Sequence, residues 1–329
     1  MTQIINKPKD AVSQVLNGVA FIHQERLARV TGTGIITYKK QQNKQVIVIS
    51  GGGSGHEPAH FGYVGDGMLG ASVSGPMFTP PKSEEILQAI EQMDQGLGVL
   101  LVIKNFEADV TEFLRAEGLA QEKGHQVAHV IVNDDCSVEA GSFEKRRRGV
   151  AGTVLVHKIV GAAAKEGQDL ETLAQLGADV VLSMNTLGVA LSSGLTLGKE
   201  NPAFDLGPGE ISFGIGIHGE AGYRTEAFFS SEVLANELLN KLLVHYQDPE
   251  LNRFALLING LGTTTVMEQY IFANDLQRLM ALEGLEVVHR KAGNFMTSTN
   301  MAGISVTLLK IKEDKWLDYL NAATDACAW

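Results

Sequence analysis

The stretch QVIVISGGGSGHEP, residues 45–58, decides the fold of this chain. It begins with a short β-branched run that lacks polar alternation, which is typical of a parallel strand covered on both faces. Glycines follow Ser50, where we expect the strand to end, and ligands of open α/β sheets bind at the carboxyl ends of strands. The stretch therefore predicts a parallel α/β sheet with a glycine-rich binding loop that leads into His56 and Glu57.

The same pattern of strand and helix repeats along the chain. Apolar runs at 98–105, 127–134 and 178–185 predict further strands, and amphipathic stretches at 83–96, 110–124 and 149–167 predict the helices between them. The helix at 83–96 is expected to open with a serine cap. Residues 191–210 are rich in glycine, proline and serine and predict a long loop or domain junction.

A second unit with strand and helix patterns follows this junction. We therefore predict an α/β protein of two domains, each with a central, largely parallel or mixed sheet flanked by helices. The expected N-terminal domain is 1–184 and the C-terminal domain is 185–329, with the end of the chain packing back on the first domain.

Composition narrows the class of protein. The chain has 329 residues and a net charge of −11, which argues against direct nucleic-acid binding and against docking on an anionic membrane. No apolar run approaches the ~18 residues of a membrane span. The opening MTQIINKPKD lacks the apolar region of a signal peptide, and the two cysteines, Cys136 and Cys327, have neither metal-site nor disulfide spacing. We expect a cytoplasmic protein.

Lys104 and Asp109 form the second candidate site. Lys104 ends an apolar strand, and Asp109 follows it in LLVIKNFEAD, residues 100–109. A lysine at a strand end often only extends its ammonium group to water. As functional groups, Lys104 would orient a hydroxyl or carbonyl oxygen and Asp109 would accept a hydroxyl proton.

A third glycine-rich segment, ISFGIGIHGEAG at 211–222, contains a GxGxxG pattern from Gly214 to Gly219. A dinucleotide site needs a helix that opens at these glycines, and none is expected here, so a dinucleotide-dependent enzyme is a weak alternative. We expect His218 to end this strand and face a crevice. The other histidines outside His56, including His60, are interpreted as structural.

Two further motifs match a metal or phosphate site only in part. HEPAH, residues 56–60, has the spacing of a zinc-binding HExxH, but Pro58 opposes the required helix and no third ligand is evident. The glycine loop carries no lysine of the kind that a phosphate-binding P-loop needs. We expect neither a metal nor a cofactor.

Five blocks together resemble one family, that of the dihydroxyacetone-binding subunit DhaK of bacterial dihydroxyacetone kinase. They are SGGGSGHEP, IKNFEAD, RRRGVAGTVLVHKIVGAAA, FGIGIHGE and GNFMTSTNMAGISVTLLK, and they span nearly the whole chain in order. The resemblance implies a homodimer that holds dihydroxyacetone as a hemiaminal on His218. It implies that His56 and Asp109 activate the substrate hydroxyl. The implied ligand contacts are Gly53, Ser54, Gly55, His56, Lys104, Asp109 and His218.

The family contains two kinds of bacterial member. One is a kinase subunit that works with the nucleotide-carrying subunit DhaL, and the other is a DhaQ-type coactivator of a TetR-type transcription regulator. Kinase subunits usually read IKNYxGD and TSLDMAG, whereas this chain has Phe106 in IKNFEAD and Asn300 in TSTNMAG. Because the substrate residues are kept and the changes are expected mostly on a partner-docking surface at 106–108, 136–148 and 191–203, we favour the coactivator. The kinase subunit is the alternative.

Overall fold

The computed structural model describes residues 3–40, 43–137, 147–195, 197–198, 201–218, 222–246 and 252–329. Two six-stranded sheets organise these residues. The helices are α1 (Ala11–Ile22), α2 (Ser83–Met93), α3 (Glu107–Glu122), α4 (Thr153–Lys165), α5 (Leu170–Leu182), α6 (Ser231–Leu243), α7 (Val266–Leu282) and α8 (Asp314–Asn321).

The first sheet has the strand order β1-β2-β4-β3-β5-β6. Its strands are β1 (Leu27–Arg29), β2 (Ile35–Tyr38), β3 (Ile47–Ser54), β4 (Ala71–Met77), β5 (Val99–Lys104) and β6 (Val127–Val132). The strands β4, β3, β5 and β6 are parallel, and β1 and β2 add an antiparallel edge. The predicted parallel sheet is confirmed, with this mixed edge.

The second sheet has the order β11-β10-β12-β7-β8-β9. Its strands are β7 (Met184–Ala190), β8 (Glu210–Phe213), β9 (Arg224–Ala227), β10 (Arg253–Gly260), β11 (Glu286–Gly293) and β12 (Gly303–Lys310). Only β10 and β11 pair in parallel among the strands of this sheet that the structure describes. This sheet is therefore mixed, as the predicted fold class allows.

The helices and sheets stack in layers around shared apolar cores. Apolar side chains of α2 and α3 pack on one face of the first sheet, and those of α6 and α7 pack on the outer face of the second sheet. Between the sheets, α4 is buried along almost its whole length and shares one core with α5, α8 and the inner strand faces. This common middle layer fixes how the carboxyl end of β3 meets the second sheet.

Three predictions of local structure are wrong. Residues 178–182 belong to α5, so the strand predicted at 178–185 begins only at Met184. Val180 and Val181 are buried on the inner face of α5 although Leu182 is 78% exposed, and a short apolar stretch of helix looks like a buried strand in sequence. Ser83 is the first residue of α2 and Lys82 is its N-cap, without a side-chain cap bond.

The third error concerns the ends of two strands. β3 continues through the glycines to Ser54, because β4 and residues 78–79 approach the glycine backbone closely. β8 ends at Phe213, so His218 lies beyond the strand rather than at its end. Gly214, with φ of 72°, turns the chain there.

The end of the chain packs back on the first sheet, as predicted. Asp325 accepts hydrogen bonds from the Tyr38 hydroxyl at 3.0 Å and from the Asp66 backbone N–H at 2.8 Å. The backbone N–H of Ala328 donates to the Gly62 carbonyl. The first sheet ends at Val132 and the second begins at Met184, so a domain boundary between 184 and 185 remains our proposal.

No helix within the described ranges is long and apolar enough to cross a membrane.

A substitution at Gly161 in α4 tests how closely the middle layer is packed. A Cβ atom at Gly161 would lie 2.4 Å from Cα and 2.6 Å from the carbonyl oxygen of Met68. Alanine is ordinarily better than glycine inside a helix by ~1 kcal/mol. Here we expect Gly161→Ala to lower the free energy of unfolding by about 2 kcal/mol, because backbone atoms must move. Urea denaturation measures the change.

Gly118 in α3 provides the matched control. A Cβ atom there meets nothing within 4 Å among the residues that the structure describes. We expect Gly118→Ala to leave stability unchanged or raise it by up to ~1 kcal/mol. If both substitutions raised the free energy of unfolding equally, the described contact between α4 and Met68 would be contradicted.

Candidate functional site

The glycines of β3 permit close approach at the carboxyl end of the first sheet. A Cβ atom at Gly52, whose φ is 147°, would lie 2.1 Å from the Lys104 ammonium nitrogen and 2.9 Å from Asp109 Oδ1. A Cβ atom at Gly53 would lie 2.5 Å from the Thr79 backbone nitrogen. Glycine is therefore required at 52 and 53 by the chain's own side chains and backbone.

The segment after β11 fixes the residues that follow these glycines. The Thr297 backbone N–H donates to the His56 carbonyl, and the Thr297 hydroxyl donates to the Glu57 carbonyl at 2.8 Å. The Thr299 hydroxyl donates to the Gly55 carbonyl at 3.1 Å. These bonds join sequence positions about 240 residues apart and place His56 between the two sheets.

His56 is fully buried, and its hydrogen bond fixes its tautomer. Nδ1 lies 2.8 Å from the Thr297 carbonyl oxygen. A carbonyl can only accept, so Nδ1 carries the proton and Nε2 presents a lone pair. Within the described part of the chain, Nε2 has no hydrogen-bond partner. Burial lowers the pKa of His56 well below its usual value, and His218 and Lys104 lower it further, so the ring is neutral near pH 7.

His218 contacts His56 from the second half of the chain. The two ring centroids are 4.7 Å apart and the rings meet edge to face. The Phe106 ring lies 4.2 Å from His218, also edge to face, and the Phe78 ring lies 5.8 Å away. His218 is partly exposed. A partly exposed imidazole is thus flanked by two aromatic rings and a neutral histidine.

Lys104 and Asp109 form a buried ion pair beside these rings. The Lys104 nitrogen lies 3.6 Å from Asp109 Oδ1, and the two residues are 1% and 3% exposed. The Lys104 ammonium donates to the Gly51 carbonyl at 2.9 Å and contacts His60 Nε2 at 3.0 Å. Burial lowers the pKa of Lys104, and Asp109 offsets part of that effect.

Asp109 occupies the first turn of α3, where the helix dipole favours a carboxylate. Its Oδ1 has no hydrogen-bond partner in the ranges that the structure describes, and its distance from Lys104 exceeds that of a hydrogen bond. A buried carboxylate oxygen of this kind can accept a hydroxyl proton from a ligand.

The structure brings His56, His218, Lys104 and Asp109 together around the end of β3. Ser54 and Gly55 lie in the same segment, but their polar groups bind within the chain. The Ser54 hydroxyl donates to the Gly75 carbonyl at 2.7 Å, and the Gly55 N–H donates to the Glu57 carboxylate. These two residues shape the segment, and their role as ligand contacts remains a prediction.

Sequence reasoning missed three residues of this site. Phe78 and Phe106 contact His218, although Phe106 was assigned to a docking surface. His60 was interpreted as structural but contacts Lys104. The position of Phe106, directly after the strand that ends in Lys104, was the available signal. Glu107 and Ala108 are exposed, and residues 138–146, 196 and 199–200 of the expected docking surface lie outside the described residues.

The geometry does not support a zinc-binding HEPAH. Residues 56–60 form turns rather than a helix, and His56 faces His218 while His60 faces Lys104. In the described part of the chain, no three histidine, cysteine or acidic side chains are grouped to hold a metal ion. The GxGxxG pattern ends at Gly219, outside the described residues, and residues 214–218 form no helix.

The sequence of this chain is similar to those of proteins with known roles. The model of the Dak1 domain matches residues 17–328. The DhaKLM operon coactivator DhaQ of Lactococcus lactis subsp. lactis (strain IL1403) is 49% identical over 326 residues, which is 98% of this chain and 99% of its own. From the same organism, the dihydroxyacetone-binding subunit DhaK of the PTS-dependent dihydroxyacetone kinase is 43% identical over 327 residues, 99% of this chain and 98% of its own.

Solved structures agree with the sequence relatives. The dihydroxyacetone kinase operon co-activator Dha-DhaQ matches with a TM-score of 0.93 and 50% identity, over 96% of this chain and 97% of that one. The dihydroxyacetone kinase of C. freundii matches with a TM-score of 0.92 and 34% identity, over the whole of this chain and 60% of that one. The chain therefore belongs to the Dak1 domain family, whose members include an operon coactivator and dihydroxyacetone-binding kinase subunits.

Proposed function

We propose that this protein captures dihydroxyacetone as a hemiaminal on His218 and acts as a ligand-sensing coactivator of a TetR-type regulator of dihydroxyacetone kinase genes. The observation that carries the proposal is the accessible His218 ring, which stands 4.7 Å from neutral His56 and beside the buried Lys104–Asp109 pair. The 49% identity to the operon coactivator supports the regulatory role. We also expect a homodimer.

Covalent capture solves a problem of ligand size. Dihydroxyacetone offers too little surface for tight binding by contacts alone. A lone pair on one imidazole nitrogen of His218 adds to the ketone carbon, and the carbon–oxygen π bond opens. The oxygen gains a proton while the other imidazole nitrogen gives one up, so that no atom leaves. Glycerol has no carbonyl carbon and is excluded by chemistry rather than by shape.

The buried polar groups recognise the rest of the ligand. His56 Nε2 and Asp109 Oδ1 are acceptors without hydrogen-bond partners among the described residues, and each suits a hydroxyl group of the ligand. The Lys104 ammonium is a donor that suits a ligand oxygen. Two acceptors and one donor around an electrophilic carbon fit a small dihydroxy ketone.

Phe106 favours the coactivator over the kinase subunit. Its ring lies 4.2 Å from His218, at a position where kinase subunits of the family usually have tyrosine. The phenyl ring supplies packing against His218 but no hydroxyl. The ligand pocket is kept while this neighbour of the covalent histidine is changed.

The alternative function is the dihydroxyacetone-binding subunit of a phosphotransferase-dependent kinase. The same two acceptors, His56 Nε2 and Asp109, are suited to remove a proton from a ligand hydroxyl for attack on a phosphoryl donor. In that case DhaL would be the protein partner. The 43% identity to a DhaK subunit is the comparison that favours this alternative.

We predict that His218→Ala abolishes covalent capture. With dihydroxyacetone labelled at its central carbon, ¹³C NMR should show a protein-bound tetrahedral carbon, and native mass spectrometry should show a gain of one intact ligand. In His218→Ala both signals should vanish, and affinity should fall at least ~100-fold because the covalent bond is lost.

His245→Ala is the matched control, since His245 is exposed in the turn that follows α6. It should retain both signals, and glycerol should give neither with the unaltered protein. A bound tetrahedral carbon that persists in His218→Ala would contradict this assignment of the nucleophile.

The regulatory role predicts poor turnover. Mixed with a competent DhaL subunit, its phosphodonor and dihydroxyacetone, the protein should form dihydroxyacetone phosphate at least ~100-fold more slowly than a DhaK kinase subunit, a difference that general acid–base groups alone can produce. The rate of product formation is measured with both proteins at equal concentration. Turnover close to that of the kinase subunit would overturn the coactivator proposal in favour of the alternative.

A further inference from the structure

We propose that His60 is a positioning residue, which holds the Lys104 ammonium so that one of its N–H groups is directed at the bound ligand. The inference rests on the proposed binding of dihydroxyacetone and adds a residue to that site. His60 contacts Lys104 and would act on the ligand through that lysine.

The hydrogen bonds of the Lys104 ammonium indicate that His60 positions it. An ammonium group has three N–H donors. The Gly51 carbonyl takes one at 2.9 Å, and His60 Nε2 takes a second at 3.0 Å. Asp109 Oδ1, at 3.6 Å, lies beyond hydrogen-bond distance. The third donor is thus left for a ligand oxygen beside Asp109, and the two bonded donors set its direction.

His60 can serve only as an acceptor toward Lys104. An ammonium cannot accept, so His60 Nε2 must present its lone pair and Nδ1 must carry the proton. Burial lowers the pKa of His60 well below its usual value, with Lys104 and His157 lowering it further, which keeps the ring neutral. A protonated His60 would lose this bond and repel the ammonium.

The buried N–H at His60 Nδ1 lowers the stability of the fold, so fold stability does not explain a histidine at this position. His60 is 3% exposed, and Nδ1 has no hydrogen-bond partner in the part of the chain that the structure describes. An unsatisfied buried donor costs about 1–3 kcal/mol. A leucine or phenylalanine would fill the space without this penalty, so the feature that requires histidine is the bond from Lys104.

His157 provides a contrasting neighbour. Its ring centroid lies 5.2 Å from that of His60 and its ring is fully buried, but neither of its nitrogens has a hydrogen-bond partner among the described residues. His157 therefore contacts His60 through its ring and makes no hydrogen bond to it within the described residues. A phenylalanine at 157 keeps the ring contact and serves as the matched control.

The test compares His60→Leu, His60→Gln and His157→Phe for dihydroxyacetone affinity by titration. We expect His60→Leu to weaken binding roughly 10- to 100-fold, since the third donor is no longer directed. The amide oxygen of His60→Gln reaches near the Nε2 position and should restore affinity to within ~3-fold of the unaltered protein, as should His157→Phe.

A double-mutant cycle separates positioning from a merely structural role. In a Lys104→Met background, His60→Leu should weaken binding no further, because its effect acts through the ammonium. Equal losses with and without Lys104 would overturn the proposal. Equal affinity of His60→Leu and His157→Phe in the presence of Lys104 would also overturn it.

The contact between His60 and Lys104 can also be measured without ligand, and this measurement tests the role of His60 separately from the proposed binding of dihydroxyacetone. The ¹⁵N signal of the Lys104 ammonium, assigned by its loss in Lys104→Met, should shift in His60→Leu and stay in place in His157→Phe. An unchanged signal in His60→Leu would contradict the described bond. If the unaltered protein fails to bind dihydroxyacetone, the proposed function fails, while this signal still decides whether His60 holds Lys104.

Discussion

The site depends on the hydrogen bonds that join residues 55–57 of the first sheet to residues 297–299 of the second half of the chain. Asn259 in β10 shapes that second segment, because its side chain accepts from the backbone of Phe295 and Met296 and donates to the Met296 carbonyl at 2.8 Å. The segment in turn fixes the tautomer of His56 through the Thr297 carbonyl. Through these bonds a buried amide supports the contact that leaves His56 Nε2 without a hydrogen-bond partner among the described residues, at the place where the two sheets meet.

The candidate site is built from both halves of the chain, and this connects the proposed ligand capture with the proposed regulatory role. His218 belongs to the second half of the chain, whereas Lys104, Asp109 and Phe106 belong to the first. A ligand can shift a conformational equilibrium only by its difference in affinity for the two states. Under the proposed function, a ketone bonded to His218 and hydrogen-bonded to the first sheet would favour a state in which both halves are close, and a protein partner would recognise that state. Capture without phosphoryl transfer would then be sufficient for the proposed signal.

The sequence predicted the fold and part of the site for identifiable reasons. Buried parallel strands read as unbroken apolar runs. Lys104 was predicted as a candidate site residue because it ends such a run, and Asp109 because it follows that strand end. The strand predicted at 178–185 failed because a short buried helix has the same composition. Phe78 was missed because an aromatic residue after a strand is typical of the core, whereas Phe106 was expected on a docking surface. The Thr297–His56 bond spans 241 positions that no local pattern connects. His60 shows the same limit, since its role depends on a neighbour 44 positions away.

The central claim is a covalent bond between His218 and a small ketone. A crystal structure of the protein with dihydroxyacetone tests it most directly. We predict continuous density from one imidazole nitrogen of His218 to a tetrahedral ligand carbon, with ligand oxygens near Lys104, Asp109 and His56. A planar ketone at van der Waals distance from the ring, or a ligand bound elsewhere with His218 turned away from it, would contradict the account.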